Sequence, residues 1–355
     1  MILEDMIEIQ QTQQSRLAEL DFENLRFGRE FSDHMVVMDY RDGAWQPATI
    51  RAYEPLKFAP AMSALHYGQA IFEGMKAFRN SRDEVFLFRP DANIARFNIS
   101  AERMCMPKVD PELFRRALHT LVDLDRDWIP NTKNSSLYIR PFMFATDEFI
   151  GVKPSDTYRF MVFTCPVNAY YKGNVRVKVE RHYTRSAPGG TGYAKAAGNY
   201  AGALYPAKLA QEQGYDQLIW TDVKEHKWIE ESGTMNVVFR SGNNVFSPPA
   251  SDTILDGITR DSIMTLAADW GYDVVHRPIA VDEIQDLLMA GQLHEAFGAG
   301  TAATVAPIAT INIDGTDYDL PPMEHWDLAN QMTAEMDDIK RGDAPDKHGW
   351  NDPVV

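Results

Sequence analysis

Hydrophobic positions in the first half of the chain follow two periods, one typical of strands and one typical of helices. Short apolar runs at 35–39 and 85–88 predict strands, and longer runs at 136–142 and 158–165 predict two more. Between them, residues 91–104 carry apolar side chains at helical spacing, with Asp91 expected to be the N-cap. The pattern predicts an N-terminal region that mixes strands and helices.

A second helix is predicted to begin at Asp110, Pro111 and Glu112. Aspartate is a good N-cap, and proline is well tolerated at the first helical position because its missing N–H would have no helical partner there. The apolar positions that follow recur at helical spacing: Phe114, Ala117, Leu118 and Leu121. We therefore expect this helix to pack one face against the core.

The second half alternates strands with helices, which favours an α/β fold. Predicted strands lie at 175–179, 217–221, 237–240 and 274–276, and predicted helices at 261–270 and 281–289, the first ending before Gly271. We expect a small α+β domain at 1–168, a linker at 169–174 and a larger α/β domain at 175–355. The polar tail beyond Arg341 is expected to be frayed.

Composition narrows the functional classes. The 355 residues include 35 Lys and Arg against 51 Asp and Glu, a net charge of -16 that disfavours nucleic acid and anionic lipid as partners. The two cysteines form neither a disulfide framework nor a metal-ligand cluster, so no metal is expected. The N-terminus lacks the pattern of a targeting peptide, and no apolar run approaches the ~20 residues that span a bilayer. We expect a cytoplasmic protein.

One segment concentrates glycines around a lysine. Residues 189–200 read GGTGYAKAAGNY, with Lys195 at their centre. Glycines allow sharp turns and close approach of a ligand, but no Gly-Lys-Ser/Thr follows them, which excludes a Walker A loop. A lysine in such a loop is ordinarily solvated, so other motifs must decide its role.

Four further motifs accompany this segment in a fixed order. They are Leu65-His66-Tyr67-Gly68 with Phe72-Glu73-Gly74, Tyr138-Ile139-Arg140-Pro141, Glu231-Ser232-Gly233-Thr234-Met235-Asn236, and Gly298-Ala299-Gly300-Thr301-Ala302. Together the five resemble the branched-chain aminotransferases of the class IV, fold-type IV pyridoxal-phosphate family. The resemblance spans roughly residues 25 to 310. Any one motif alone would be weak, but five in order are specific.

The resemblance implies pyridoxal 5'-phosphate as cofactor and assigns residues to its ring. Lys195 matches the lysine that forms the imine and carries the proton. Glu231 matches the carboxylate beside the ring nitrogen, with its neighbour Glu230 as the rival; strand alternation would aim the two in opposite directions. Tyr200 matches the hydrogen-bond donor to the phenolic oxygen.

The same resemblance assigns donors to the cofactor phosphate. Arg96 matches the family arginine, and Thr301 would add a hydroxyl. The backbone amides of Ile258 and Thr259 precede the helix at Arg260 onward, and amides at a helix start suit a phosphate.

For the substrate, the resemblance implies a carboxylate site and an apolar wall. The amide of Ala302 and the hydroxyl of Tyr138 would take the α-carboxylate, with Thr234 nearby. Phe27, Phe72, Tyr67 and Val152 would line the side-chain pocket, Tyr67 and Val152 from the partner subunit of a homodimer. Arg140 would meet the γ-carboxylate of glutamate, because the same pocket must accept both substrates.

The activity that the resemblance implies is exchange of amino groups between L-leucine, L-isoleucine or L-valine and 2-oxoglutarate. A D-amino-acid aminotransferase or an aminodeoxychorismate lyase of the same fold remains an alternative, as does a non-catalytic protein that binds the cofactor. Lys195, Tyr200 and Glu231 together argue against the last, because phosphate binding alone would not require Tyr200 and Glu231. The order of preference among the three branched amino acids stays open.

Overall fold

The computed structural model describes residues 7–168 and 173–355, and within these the chain divides into two compact units. The first unit comprises 7–168, Ala194–Gly198 and Asp337–Val355, and the second comprises 173–193 and Asn199–Met336. Of the predicted linker at 169–174, residues 169–172 lie outside the described part. The predicted domain boundaries therefore remain a prediction.

Helices occur throughout the described residues. They are α1 (Ser63–Tyr67), α2 (Pro90–Arg103), α3 (Pro111–Leu124), α4 (Ala197–Glu212), α5 (Ile258–Asp269), α6 (Val281–Met289) and α7 (Leu328–Lys340). Helical spacing of apolar residues predicted α2, α3, α5 and α6, and all four are confirmed; α1, α4 and α7 were not predicted. In this part of the chain no helix combines the length and apolarity needed to cross a membrane.

The first unit is built on a mainly antiparallel sheet. Its strands are β1 (Ile7–Ile9), β2 (His34–Arg41), β3 (Ala44–Trp45), β4 (Ala48–Ala52), β5 (Ala70–Phe72), β6 (Met75–Arg79), β7 (Val85–Phe88), β8 (Ser136–Ala145) and β9 (Tyr158–Val167). Neighbouring strands follow the order β1, β4, β2, β9, β8, β6, β7, while β3 pairs with β2 and β5 with β8. The four strands predicted in this half are confirmed, each within a few residues at its ends.

Three phenylalanines fix α2 and α3 on this sheet. Phe97 of α2, Phe114 of α3 and Phe160 of β9 are fully buried and meet edge to face, with ring centroids 4.7–5.5 Å apart. This geometry is favourable for aromatic rings beyond the area they bury. It sets the position of α2, which carries Arg96 and Ser100.

The start of α2 differs from the prediction. The helix begins at Pro90, and the capping residue is Arg89, at φ 51° and without a side-chain cap, so the assignment of Asp91 as N-cap was wrong. Proline already has the helical φ and needs no N–H partner at this position, which moves the start one residue earlier. In α3 the prediction is confirmed, because the Asp110 carboxylate accepts the N–H of Leu113 at 2.9 Å.

The second unit contains a mixed sheet. Its strands are β10 (Val175–Val179), β11 (Gln217–Thr221), β12 (Ile229–Ser232), β13 (Asn236–Ser241), β14 (Asn244–Ser247), β15 (Asp273–His276), β16 (Glu295–Gly300), β17 (Thr304–Ile313) and β18 (Thr316–Asp319). Neighbouring strands follow the order β12, β11, β10, β17, β16, β13, β14, β15, with β18 beside β17. Parallel pairs join β10 to β11 and to β17, and β14 to β15. The predicted α/β class is confirmed.

The C-terminal tail is ordered, contrary to the prediction that it would be frayed. Strand β19 (Asn351–Val354) pairs antiparallel with β7. The carboxylate of Asp352 accepts hydrogen bonds from Arg115 at 2.6 and 2.9 Å and lies 2.7 Å from His119. The polar composition misled the prediction because these polar groups are satisfied by α3 instead of by water.

A buried lysine ends α7. Lys340 Nζ lies 5.2 Å from the ring centroid of Phe88 and 5.8 Å from that of Phe78. Burial lowers the pKa of Lys340 to about 7, with the positive charge of Lys76 acting in the same direction and Asp337 opposing it. The charged form is thus disfavoured in the folded protein.

We predict that Lys340→Met stabilises the protein most at about pH 7 and below. The folded-state pKa of about 7 lies below the ordinary 10.5, so the folded parent binds fewer protons than the unfolded chain between these values and gains stability as pH rises. The Tm advantage of the variant, measured by calorimetry, should shrink from pH 7 to pH 10. The exposed Lys347→Met is the control, with no pH-dependent advantage. An advantage that grows with pH would contradict the prediction.

Candidate active site

The backbone of Lys195 is held by two elements of the first unit. Its N–H donates to Ser100 Oγ of α2 at 2.9 Å, and its carbonyl accepts the N–H of Phe72 of β5 at 3.1 Å. The next residue, Ala196, forms a β-bridge with Ile71. The lysine is therefore fixed at its Cα by the first unit.

The Phe72 ring faces two cationic side chains. Lys195 Nζ lies 4.7 Å from the ring centroid, and Arg140 Cζ lies 4.8 Å from it. Arg140 also stacks on Tyr138 at 5.3 Å and donates to the Tyr138 hydroxyl at 3.1 Å. The Arg140 Nε is buried and has no hydrogen-bond partner among the described residues, and no carboxylate there pairs with this side chain. An arginine in this state is suited to an anionic ligand.

Beside Phe72 lies a buried ion pair. Arg96 donates from Nε and Nη2 to the two carboxylate oxygens of Glu73, at 2.7 and 2.9 Å, and Asn93 donates to the same carboxylate at 2.9 Å. Burial alone would raise the pKa of Glu73, but the charges of Arg96 and Lys195 and these hydrogen bonds hold it below its usual value. Glu73 is therefore a fixed negative charge near Lys195.

Gly74 is required by the position of Tyr138. A Cβ added at Gly74 would lie 2.1 Å from the Tyr138 hydroxyl oxygen, far inside contact distance. The Phe27 ring packs edge to face on Tyr138, with centroids 5.0 Å apart. Lys195, Phe72, Tyr138, Arg140 and Phe27 thus form one connected group in the first unit.

Two predicted pocket residues are exposed. Val152 is 91% exposed in a loop after β8, and Tyr67 is 43% exposed at the end of α1. The structure places both away from any core of the first unit. Their predicted role in a partner's pocket remains a prediction.

Close packing explains one glycine of the loop that leads to Lys195. A Cβ at Gly192 would lie 2.6–2.8 Å from backbone atoms of Asp252 and Thr253, which cannot move as a side chain could. The loop is also tied to the start of α4 by two hydrogen bonds between Thr191 and Asn199, at 2.6 and 2.8 Å. Position 192 therefore requires glycine because the backbone of Asp252 and Thr253 leaves no room for a side chain.

Glu231 is buried in β12 of the second unit and held by three donors. Its Oε1 accepts from Asn236 Nδ2 at 3.1 Å and from the Leu255 N–H at 3.0 Å. Its Oε2 lies 2.7 Å from Arg185 Nη2. Three N–H donors favour the ionised carboxylate.

The neighbouring Glu230 is also buried, so strand alternation does not separate the two acids by exposure. Every residue of β12 is buried, because both faces of the strand are covered. Glu230 Oε2 has no hydrogen-bond partner among the described residues. Burial raises the pKa of Glu230 to about 7, although a hydrogen bond with Thr253 and the charge of Arg185 oppose the rise.

The remaining predicted residues lie at helix starts and turns. Tyr200 lies half-buried in α4, and Ile258 and Thr259 are the first two residues of α5, as expected for amides at a helix start. Thr234 occupies the turn before β13, and Thr301 and Ala302 the turn after β16. Because β13 and β16 pair through Asn236 and Ala299, these two turns lie at the same end of the sheet.

Within each unit, taken by itself, the residues present fit the cofactor that the sequence predicts. The first unit contains a backbone-fixed lysine and a buried arginine Nε that has no hydrogen-bond partner in the described part of the chain. The second unit contains a buried carboxylate in contact with an arginine and a helix N-terminus, which suit a ring nitrogen and a phosphate. Arg96, expected at the phosphate, uses two of its nitrogens on Glu73.

Sequence reasoning missed Glu73, Ser100 and Arg185. Glu73 carried a signal, since a single acid between apolar strand residues and a glycine is unusual unless it is paired. Ser100 and Arg185 carried none, because their partners are remote in sequence.

The chain is similar to known proteins over most of its length. The family model described as amino-transferase class IV matches residues 70–311. Branched-chain-amino-acid aminotransferase 2 of Bacillus subtilis (strain 168) is 42% identical over 339 residues, which cover 94% of this chain and 93% of that protein. Branched-chain-amino-acid transaminase 1 of the same strain is 44% identical over 335 residues, covering 93% and 94%.

Solved structures agree with this similarity. The branched-chain amino acid aminotransferase from Escherichia coli aligns with a TM-score of 0.72 and 25% identity, covering 91% of this chain and 99% of that one. The branched-chain aminotransferase from the thermophilic archaeon Thermoproteus uzoniensis, solved with norvaline, aligns with a TM-score of 0.75 and 24% identity, covering 91% and 100%. At that identity the second alignment supports the fold alone.

We predict that Glu230→Gln stabilises the protein above about pH 7. The folded-state pKa of about 7 lies above the ordinary 4.5, so the folded parent binds more protons than the unfolded chain between these values and loses stability as pH rises. The amide resembles the protonated acid and has no such loss. The Tm difference between variant and parent should therefore grow from pH 4.5 to pH 8.

The exposed Glu225→Gln is the matched control, for which the Tm difference should not change with pH. A Glu230→Gln difference that stays constant over this range would show that folding does not raise the pKa of Glu230 and would contradict the prediction.

Proposed function

The chain belongs to the class IV amino-transferase family, because the family model matches residues 70–311 and relatives 42–44% identical span more than nine-tenths of it, and we propose that it is a branched-chain-amino-acid aminotransferase. It transfers the amino group of L-leucine, L-isoleucine or L-valine to 2-oxoglutarate, giving the branched 2-oxo acid and L-glutamate. The names of the relatives support this substrate class.

The observation that carries the proposal is that Lys195 Nζ and Arg140 Cζ both lie close to the Phe72 ring, 4.7 and 4.8 Å from its centroid. An aminotransferase of this specificity must hold an isobutyl group and a propionate in one pocket. Aromatic side chains suit the first, and a cation that lacks a carboxylate partner suits the second. Arg140 stacked between Phe72 and Tyr138 meets both needs.

Pyridoxal 5'-phosphate is the proposed cofactor, and when bound it withdraws electrons from the substrate α-carbon. Lys195 Nζ holds it and moves the proton to and from that carbon. Glu231 would hold the ring nitrogen, and Tyr200 would donate to the phenolic oxygen. Four residues are the proposed donors to the phosphate. Ile258 and Thr259 would donate from the start of α5 and Thr301 from the turn after β16, and Arg96, which pairs with Glu73, would add its guanidinium.

The substrate α-carboxylate is proposed to bind the Tyr138 hydroxyl and the Ala302 amide, with Thr234 nearby. Phe27 and Phe72 form part of the apolar wall. Such a wall separates Leu, Ile and Val weakly, because one methylene is worth only about 1–3 kcal/mol.

The working unit is proposed to be a cytoplasmic homodimer. Tyr67 and Val152 would complete the partner's pocket. Both are exposed, as are Leu65, Phe149 and Ile150 of the same two segments, which the β-bridge between Met62 and Glu148 brings together. Exposed apolar residues clustered in this way are typical of an interface.

The proposed activity is tested by a coupled assay of the holoenzyme with 2-oxoglutarate and a panel of L- and D-amino acids. We predict turnover of L-leucine, L-isoleucine and L-valine within about two orders of magnitude of each other, since one methylene in an apolar pocket is worth only about 1–3 kcal/mol. Lys195→Ala should abolish turnover, and borohydride should no longer attach the cofactor to the chain, as mass spectrometry would report. D-alanine turnover above that of L-leucine would overturn the proposal in favour of a D-amino-acid enzyme.

Arg140→Met is predicted to act on one substrate class. Loss of a charge-assisted hydrogen bond costs about 1.5–3 kcal/mol, so kcat/KM for glutamate should fall about tenfold to a hundredfold, while kcat/KM for leucine changes far less. Arg140→Lys is the matched control; it keeps the charge without the planar fork and should retain part of the glutamate activity. Equal losses for both substrates would assign Arg140 a structural role instead.

A further inference from the structure

Arg185 connects the Glu231 carboxylate to two backbone segments of the second unit. The guanidinium donates from Nη2 to Glu231 Oε2, 2.7 Å away, and to the carbonyls of Gly192 and Thr253 at 3.1 and 2.8 Å. Both side chains are buried, that of Arg185 being 8% exposed and that of Glu231 5% exposed. A buried pair with this many hydrogen bonds is held in one orientation.

The same cluster holds a second acid, and the arginine contacts only one of the two. The charged or polar groups that face Glu230 are Arg185, Glu231, Asp222 and Thr253. Two of them are carboxylates, and the ion pair that the structure contains is between Arg185 and Glu231. Since Glu230 Oε2 is buried without a hydrogen-bond partner in the described residues, ionising Glu230 would place an uncompensated charge there.

We propose that Arg185 is a positioning residue that keeps Glu231 ionised while Glu230 stays neutral, so that the proton between Glu231 and the cofactor ring nitrogen rests on the nitrogen. This inference depends on the proposed placement of Glu231 at the ring nitrogen. Beyond that placement, it identifies Arg185 as the group that decides whether the proton lies on the ring nitrogen or on the Glu231 carboxylate.

The proton is expected to rest on the ring nitrogen because the positive charge of Arg185 lies next to the Glu231 carboxylate. Arg185 contacts the carboxylate, so its charge repels a proton from Glu231 more strongly than from a nitrogen farther away. Without the cation, Glu231 becomes a stronger base and takes the proton. A neutral ring withdraws electrons less effectively. No bond to carbon changes in this step; one proton moves between a nitrogen and a carboxylate oxygen.

Glu230 is expected to weaken the arrangement as it ionises. At pH above about 7, where Glu230 loses its proton, a second negative charge next to Glu231 favours protonation of the Glu231 carboxylate. The state of the ring nitrogen should therefore drift with pH in the parent protein.

The experiment uses the full-length holoenzyme loaded with pyridoxal 5'-phosphate labelled with ¹⁵N in the ring, whose NMR shift reports protonation of that nitrogen. The variants are Arg185→Gln, Arg185→Lys, Glu230→Gln and Glu231→Gln. We expect the Arg185→Gln signal to move toward that of the unprotonated nitrogen, with kcat for leucine falling about tenfold or more and KM changing less than about threefold. Arg185→Lys keeps the charge and should keep the parent signal.

Glu230→Gln tests the second half of the proposal. Below pH 7 its signal should match the parent, and above pH 7 the drift seen in the parent should be absent. A signal that differs from the parent below pH 7 would show that Glu230 is not neutral there and would overturn this assignment.

The outcomes separate the inference from the proposed function. If Glu231→Gln leaves the ring-nitrogen signal unchanged, the proposed site itself is wrong. If Glu231→Gln moves the signal and Arg185→Gln does not, only the role of Arg185 is overturned. If Arg185→Gln does not fold, Arg185→Lys decides: a parent-like signal supports the inference, and an unprotonated signal with cofactor bound overturns it.

Discussion

The candidate site depends on how the backbone of Lys195 is held. Ser100 accepts its N–H and Phe72 donates to its carbonyl, so a loop residue is fixed by a helix and a strand. The helix is in turn fixed by the aromatic contact of Phe97 with Phe114 and Phe160. A reactive group must be placed within a fraction of an ångström, and a loop achieves this only when rigid elements support it.

Buried charges in the site are matched in pairs. Glu73 is neutralised by Arg96, and Glu231 by Arg185, each with further N–H donors. Removing one partner of such a pair would leave a buried charge uncompensated, which lowers the free energy of unfolding by about 3–5 kcal/mol. The pairs therefore fix the orientation of the two carboxylates, and at Glu73 the paired charge also keeps the pKa below its usual value. Glu230, which has no such partner, is the exception.

Specificity in the proposed pocket follows from what surrounds Arg140. Phe72 and Tyr138 cover its guanidinium, which keeps the cation in an apolar setting that a branched side chain tolerates. The same cation is available to a carboxylate, because no acid of the described residues pairs with it. In the proposed pocket, one arginine would thus serve two unlike substrates without a change of fold.

The sequence by itself determined the α/β class, four helices, the predicted strands and the family, because hydrophobic periodicity and short ordered motifs are local properties. It also singled out Lys195 and Glu231, which lie in such motifs. Only the tertiary structure decided that Ser100 holds Lys195, that Arg185 pairs with Glu231 and not with Glu230, and that the tail forms β19. These contacts join residues from about 45 to more than 200 positions apart, and no local pattern encodes which distant partner a buried polar group will find.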